Sequence, residues 1–154
     1  MVERKARVLA VDDDQPTREM LERSLFLRGF DCTVAGSAVE AAELLAVKDF
    51  DVLLLDILMP GRSGMELLGV VADHPHMAVV VLSAFADAFA ATKALKVGAD
   101  DYVTKPVNLD ELAVRLERAI ERRTTLARNE QMQEAIGEFA ELLEERRSES
   151  APKP

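Results

Sequence analysis

Residues 52–61 have the sequence Val-Leu-Leu-Leu-Asp-Ile-Leu-Met-Pro-Gly, in which one carboxylate, Asp56, follows a wholly apolar run. An uninterrupted apolar run of this length is typical of a strand that is buried on both faces of a sheet. The Pro-Gly pair that follows favours a turn. Asp56 is therefore predicted at the carboxyl end of a buried strand, which is where open α/β sheets place their ligands.

Polar side chains also end the other apolar runs of the chain. Residues 8–11 are apolar and lead into Asp12, Asp13 and Asp14, while later runs end at Ser83 and just before Lys105. The carboxyl ends of parallel strands share one edge of a sheet. Carboxylates, a hydroxyl and an amine are thus predicted to converge there, and this set suits a divalent metal and a phosphoryl group.

Strand and helix patterns alternate five times along the chain. Strict alternation with short connections predicts a parallel sheet with helices on both faces. Helix starts are marked by a capping side chain three residues before an acid, as at Ser37, Ser63 and Asn108. The predicted strands are 7–11, 31–35, 51–55, 78–82 and 101–104, and the predicted helices are 15–28, 38–48, 64–74, 86–97 and 108 onward.

Four segments, in this order and spacing, resemble the receiver domain of bacterial two-component response regulators, and in particular the chemotaxis response regulator. They are Val-Asp-Asp-Asp (11–14), Leu-Asp-Ile-Leu-Met-Pro-Gly (55–61), Leu-Ser-Ala (82–84) and Gly-Ala-Asp-Asp-Tyr-Val-Thr-Lys-Pro (98–106). The resemblance covers roughly residues 6 to 121. It implies a flavodoxin-like, doubly wound α/β fold with five parallel strands in the order 2-1-3-4-5 and five helices, the last one extended.

The resemblance also implies a function. Asp56 would accept a phosphoryl group from a partner sensor histidine kinase or a phosphotransfer protein. The metal would be Mg²⁺, with Mn²⁺ as a substitute, held by Asp13, Asp56 and the backbone carbonyl of Leu58, and by Asp12 mainly through water. Such a domain catalyses only its own phosphorylation and dephosphorylation, and is not otherwise an enzyme.

Further roles follow from the same resemblance. Lys105 would bridge Asp56 and a phosphoryl oxygen, and the peptide bond to Pro106 would be cis. Ser83 would donate its hydroxyl to the phosphoryl group, and Tyr102 would turn inward as Ser83 moves. The face formed by helix 4, strand 5 and helix 5 would then change.

Access to the phosphoryl pocket is expected to depend on three apolar residues. Ala84 is small and leaves room for the phosphoryl group. Leu58 and Phe85 flank the pocket and offer no side chain that orients an attacking water. The sequence therefore predicts slow loss of the phosphoryl group.

The composition limits the binding partners and the cellular compartment that fit this chain. The formal net charge of −9 argues against direct nucleic-acid binding, since duplex binding depends on neutralising phosphates. No apolar stretch approaches the length of a membrane span, and the charged N-terminus lacks the apolar core of a signal peptide. A lone cysteine, Cys32, fits a reducing compartment. We therefore expect a cytoplasmic protein with no membrane association.

Residues 1–121 are predicted to form the receiver domain, 122–147 a helical extension, and 148–154 a disordered tail. The extension carries an apolar set at Met132, Ile136, Phe139, Leu142 and Leu143 that the sheet no longer covers. It is expected to mediate a homodimer, to fold back as a hairpin on its own domain, or to lead to a missing output domain. Its many glutamates favour a narrow apolar contact over deep burial of the helix. Its broken heptad register argues against a long regular coiled coil.

Two other functions fit parts of the sequence. Residues 11–16 imitate the first motif of haloacid-dehalogenase phosphatases, with Asp12 as nucleophile, but that reading gives Asp56 no role. The second alternative is a degenerate receiver that serves only as a scaffold. Because all the expected site residues are present, the phosphoacceptor reading is preferred.

Overall fold

The computed structural model describes residues 4–57, 64–71, 73–84, 88–96 and 98–150. Five strands alternate with five helices along the chain. The strands are β1 (Arg7–Val11), β2 (Asp31–Ala35), β3 (Val52–Asp56), β4 (Ala78–Ser83) and β5 (Asp101–Thr104). The helices are α1 (Gln15–Leu27), α2 (Ala38–Val47), α3 (Gly64–Val71), α4 (Ala88–Lys96) and α5 (Leu109–Ser150).

All strands run parallel in one sheet with the order β2-β1-β3-β4-β5, which confirms the flavodoxin-like fold. The register of the strands determines which residues lie together at the carboxyl edge of the sheet. Val11 lies beside Leu55, so the acidic residues after β1 and the end of β3 reach the same level. Asp56 lies beside Leu82, and Ser83 beside Thr104. The chain order changes direction between β1 and β3, so their carboxyl ends open into a crevice.

Helices cover both faces of the sheet and bury two apolar clusters. The first cluster lies under α2, α3 and α4 and includes Leu45, Leu68 and Ala94. The second lies under α1 and α5, with Leu25 and Leu116 fully buried. Since β3 and β4 are buried along their whole length, both site residues that end them are held on a rigid support.

The described helix starts have the predicted caps. Ser37 Oγ accepts from the backbone N–H of Glu40, and the Glu40 carboxylate accepts from that of Gly36. Asn108 Oδ1 accepts from the backbone N–H of Glu111 at 3.1 Å. These bonds satisfy N–H groups that have no partner within the helix. The cap predicted at Ser63 lies outside the described residues.

Helix α5 continues without interruption from Leu109 to Ser150. The structure thus adopts one helix rather than the hairpin considered from the sequence. Residues 148–150, expected in a disordered tail, are its last turn, because the preceding glutamate and arginine residues favour helix and elongation is cooperative. Of the helices described, none combines the length and the apolar character that crossing a membrane requires.

Candidate phosphoacceptor site

Three carboxylates meet at the carboxyl edge of the sheet. Asp12, Asp13 and Asp56 each offer an oxygen that lies within 4.8 Å of the other two. Asp12 and Asp56 are buried, with 1% and 7% of their surface exposed, while Asp13 is exposed. The predicted convergence of the β1 and β3 ends is therefore present in the structure.

The loop after β1 holds Asp12 firmly in place. Asp12 Oδ1 accepts from the backbone N–H of Asp14 at 2.9 Å, and the Asp12 backbone N–H donates to the carbonyl of Ala35 at 3.1 Å. From α1, the Arg18 guanidinium donates to the Asp12 carbonyl at 2.8 Å. Sequence reasoning missed Arg18, since its spacing of six residues from Asp12 matches no short motif.

Asp14 has a different task from its two neighbours. Its carboxylate caps α1 by accepting from the backbone N–H and the hydroxyl of Thr17. These hydrogen bonds from Thr17 lower the pKa of Asp14, with smaller contributions from the charges of Lys105 and Arg18. Asp14 is thus the N-terminal cap of α1.

Lys105 lies between the two buried carboxylates. Its Nζ is 2.7 Å from Asp12 Oδ2 and 3.3 Å from Asp56 Oδ2. Burial alone would lower the pKa of Lys105, but the hydrogen bond to Asp12 and the charge of Asp56 outweigh it and raise the pKa. The lysine is therefore charged at neutral pH, and its shorter bond is to Asp12 rather than to Asp56, a partner that the sequence did not predict.

The backbone around Lys105 also fixes its position. The Lys105–Pro106 peptide bond is cis, which is the geometry that the resemblance implied. The Lys105 backbone N–H donates to the carbonyl of Ser83 at 2.7 Å, so the ends of β4 and β5 are joined next to the site. Ser83 itself is buried, with 1% of its surface exposed.

The remaining predicted residues occupy several environments. Tyr102 is half-buried and packs against the cluster under α2, α3 and α4, and it lies beside Val81 in the sheet. Ala84 is exposed immediately after β4. Leu58 and Phe85 lie outside the described residues, so their predicted effects on pocket access stay predictions.

The charge of the site fits a divalent cation. Three carboxylates face one ammonium group, which leaves an excess of two negative charges in a partly buried place. Carboxylate oxygens are the ligands that Mg²⁺ prefers, and the exposed Asp13 leaves the cluster open to water, which Mg²⁺ retains when it binds. The residues present therefore fit the metal that the resemblance implied.

Comparison with known proteins agrees with the geometry. Residues 8–117 match the family model described as the response regulator receiver domain. A relative, the DNA-binding transcriptional regulator NtrC of Escherichia coli K12, is 44% identical over 114 residues, which are 73% of this chain and 24% of the relative. The chain thus aligns with about a quarter of the length of this curated relative.

Solved structures give the same result. A CheY-like receiver domain from Methanospirillum hungatei has a TM-score of 0.74 and 27% identity, covering 79% of this chain and 98% of that one. The regulator TrrA of Thermotoga maritima, solved in complex with Mg²⁺ and a beryllium fluoride, has a TM-score of 0.67 and 30% identity, covering 74% and 98%. The chain belongs to the response regulator receiver domain family.

Proposed function

We propose that Asp56 accepts a phosphoryl group from a phosphohistidine of a sensor histidine kinase or phosphotransfer protein. An Asp56 carboxylate oxygen attacks phosphorus, the phosphorus–nitrogen bond breaks, and the imidazole leaves and takes up a proton. The observation that carries the proposal is the position of Asp56, buried at the end of a central strand, grouped with two carboxylates and 3.3 Å from the Lys105 ammonium.

Asp12 is a poorer candidate for the acceptor. One of its oxygens accepts from the Asp14 backbone N–H and the other from Lys105. A carboxylate stabilised by hydrogen bonds on both oxygens is a weaker nucleophile. This arrangement gives Asp12 a supporting role and disfavours the phosphatase alternative, which requires it to attack.

The other site residues would reduce the electrostatic cost of the transfer. A phosphoryl group is anionic, so its approach to three carboxylates requires added positive charge. Mg²⁺ held by Asp13 and Asp56, with Asp12 acting through water, would supply that charge, and Mn²⁺ has the same preference for oxygen ligands. The complex of TrrA with Mg²⁺ and beryllium fluoride supports this assignment by similarity.

Lys105 and Ser83 would respond to the new anion. Lys105 already contacts Asp56 and, released in part from Asp12, would donate to a phosphoryl oxygen. Ser83 would donate its hydroxyl, and Tyr102 would change its packing in response. The face of α4, β5 and α5 would thereby pass the signal to a partner.

The compartment in which this switch acts, and whether it contacts DNA, are part of the same proposal. We place the protein in the cytoplasm, where a kinase phosphohistidine is available. The chain itself would not contact DNA, since its net charge is −9. NtrC is named as DNA-binding, but the portion that this chain matches is a quarter of that protein.

Beryllofluoride binding separates the phosphoacceptor from its alternatives. With Mg²⁺ present, ¹⁹F NMR should show a bound beryllofluoride signal for the wild-type protein and for Asp12→Asn at reduced affinity. The signal should be absent for Asp56→Asn. Binding that persists in Asp56→Asn and disappears in Asp12→Asn would support the phosphatase, and no binding to the wild-type protein would support the scaffold.

A further inference from the structure

Asp13 is the least constrained of the three carboxylates in the site. Asp12 accepts hydrogen bonds on both of its oxygens, and Asp56 lies next to Lys105. The Asp13 side chain is exposed, and among the described residues no hydrogen bond or ion pair holds its carboxylate. Its position relative to Asp56 therefore depends on the backbone of residues 12–14.

Three hydrogen bonds fix that stretch of backbone. The Asp12 N–H donates to the Ala35 carbonyl at the end of β2, and the Asp14 N–H donates to the Asp12 carboxylate. The third bond comes from Arg18, whose Nη1 donates to the Asp12 carbonyl at 2.8 Å. This carbonyl belongs to the peptide unit that joins Asp12 to Asp13. The Arg18 bond thus fixes the orientation of the peptide unit that carries Asp13.

Arg18 is itself held at both ends of its side chain. Its backbone N–H donates to the Asp14 carbonyl at 3.0 Å in the first turn of α1. Its guanidinium lies against Gly36, where an added Cβ would be 3.1 Å from Nη1 and 3.3 Å from Cζ. Such separations are tighter than most Cβ atoms tolerate. The guanidinium fits in this place because residue 36 has no side chain.

Gly36 forms a fixed wall beside the guanidinium. Its backbone N–H donates to the Glu40 carboxylate at 2.9 Å, which ties it to the first turn of α2. The φ angle of Gly36 is not positive, so its backbone accepts an alanine without strain. The contact with Arg18 is therefore what an added methyl group would disturb at this position.

We propose that Arg18 is a positioning residue for the metal site. It holds the peptide unit before Asp13 so that the Asp13 carboxylate is turned towards Asp56, and Gly36 leaves the space that its guanidinium needs. This role rests on the proposed function, in which Asp13 and Asp56 hold Mg²⁺. Hydrogen bonds that orient metal ligands contribute roughly 10- to 100-fold to metal affinity.

The charge of Arg18 acts in the opposite direction. A guanidinium near three carboxylates repels a divalent cation, so removal of its charge alone would strengthen metal binding. Loss of the hydrogen bond to the Asp12 carbonyl would instead weaken metal binding, because Asp13 would no longer be oriented. The two effects have opposite signs, so the direction of the change in affinity distinguishes them.

Mn²⁺ binding to the full chain tests the role of Arg18. Free Mn²⁺ is measured by electron paramagnetic resonance in about 0.5 M KCl, where screening reduces the effect of charge. Arg18→Met should weaken the affinity for Mn²⁺ roughly tenfold. Arg23→Met, the same change at an exposed position on α1, should leave the affinity unchanged. An Arg18→Met protein that binds Mn²⁺ as tightly as the wild type, or more tightly, would overturn the proposal.

Gly36→Ala tests the same contact without any change of charge. The methyl group should displace the Arg18 guanidinium by a few tenths of an ångström and lengthen its bond to the Asp12 carbonyl. The affinity for Mn²⁺ should fall roughly threefold, as for partial loss of one hydrogen bond. Gly69→Ala is the matched control, because a Cβ at Gly69 meets no atom within 4 Å, and it should bind Mn²⁺ as the wild type does.

The double variant shows whether the two residues act through each other. In the Arg18→Met background, the group that the new methyl group would meet is absent. Gly36→Ala should therefore cause no further loss of Mn²⁺ affinity in that background. If the two losses multiply instead, Gly36→Ala acts by another route, and the proposed contact is refuted.

Failure of the proposed function would give a different result. A wild-type protein that does not bind Mn²⁺ at millimolar concentrations would refute the metal site itself, and the role of Arg18 with it. Mn²⁺ binding that Asp13→Ala and Asp56→Asn abolish, but that Arg18→Met leaves unchanged, would preserve the metal site and refute the positioning role alone.

Discussion

Replacing Lys105 with methionine tests the electrostatic balance of the site. Lys105 Nζ contacts Asp12 at 2.7 Å and Asp56 at 3.3 Å, and these two side chains are only 2% and 8% exposed. Methionine preserves most of the volume but removes the only amine described between them. In the absence of divalent metal, the variant should therefore be less stable than the wild type.

The size of the effect follows from the burial of the three groups. Removing one partner of a fully buried ion pair costs about 3–5 kcal/mol. Lys105 is 25% exposed, and Asp12 keeps its hydrogen bond from the Asp14 backbone, so water and protein both compensate in part. We expect a loss of about 2 kcal/mol in the free energy of unfolding, on the order of 5 °C in Tm for a chain of this size.

Magnesium should narrow the difference in stability between the variant and the wild type, by up to about 1.4 kcal/mol for a tenfold difference in affinity. Without the ammonium group, the carboxylates attract a divalent cation more strongly, and the variant should bind Mg²⁺ about tenfold more tightly. Urea unfolding with and without Mg²⁺ measures both effects, and Lys96→Met, which removes an exposed lysine on α4, is the control. Equal stability of Lys105→Met and Lys96→Met without metal, together with equal Mg²⁺ affinities, would refute the reasoning.

The remaining predictions concern titration and ion pairs. Folding raises the pKa of Lys105, so the contribution of Lys105 to the stability of the fold should be fully present below the unfolded-state pKa near 10.5 and be lost as pH rises through the higher folded-state value. The difference in stability between wild type and Lys105→Met, followed from pH 8 to 11.5, should therefore stay constant and then shrink. Burial, with smaller effects of neighbouring acids, raises the pKa of Cys32 to about 12, so an aromatic disulfide reagent should modify native protein at pH 8 far more slowly than urea-unfolded protein. Arg123→Met should cost about 2 kcal/mol in urea unfolding, since the buried Asp100 carboxylate keeps the hydrogen bond from the Val79 backbone N–H but loses its cation. Adding Asp100→Asn should recover part of that loss, and equal stabilities of the two variants would contradict this account.

The sequence predicted the sheet well because its signals are local. The buried strands β3 and β4 are apolar runs, and the polar residues that end them mark the functional edge directly. Observed and predicted strand boundaries differ by at most one residue, and Asp56 proved to be the last residue of β3 rather than the first one after it. The order of the strands came from the family resemblance, because alternation alone leaves several topologies open.

Contacts between distant segments were harder to predict. The hydrogen bond from Lys105 to Asp12 joins residues 93 positions apart, and it depends on how close the loop after β5 lies to the end of β1. The contact of Arg18 with the Asp12 carbonyl depends on the rotation of α1 over the sheet. The continuity of α5 was likewise open, since Gly137 and the shift in apolar register weaken helix locally, while cooperative elongation acts over the whole segment.

The most direct test of the phosphoacceptor is to locate the phosphoryl group itself. The protein is incubated with acetyl phosphate and Mg²⁺, reduced with borohydride to trap acyl phosphate, digested, and analysed by mass spectrometry. We predict one modification per chain, on Asp56, that hydroxylamine removes and that chelation of Mg²⁺ or Asp56→Asn prevents. A modification on Asp12 or Ser83 in the wild-type protein, or none on Asp56 under conditions that modify another receiver domain, would contradict the account.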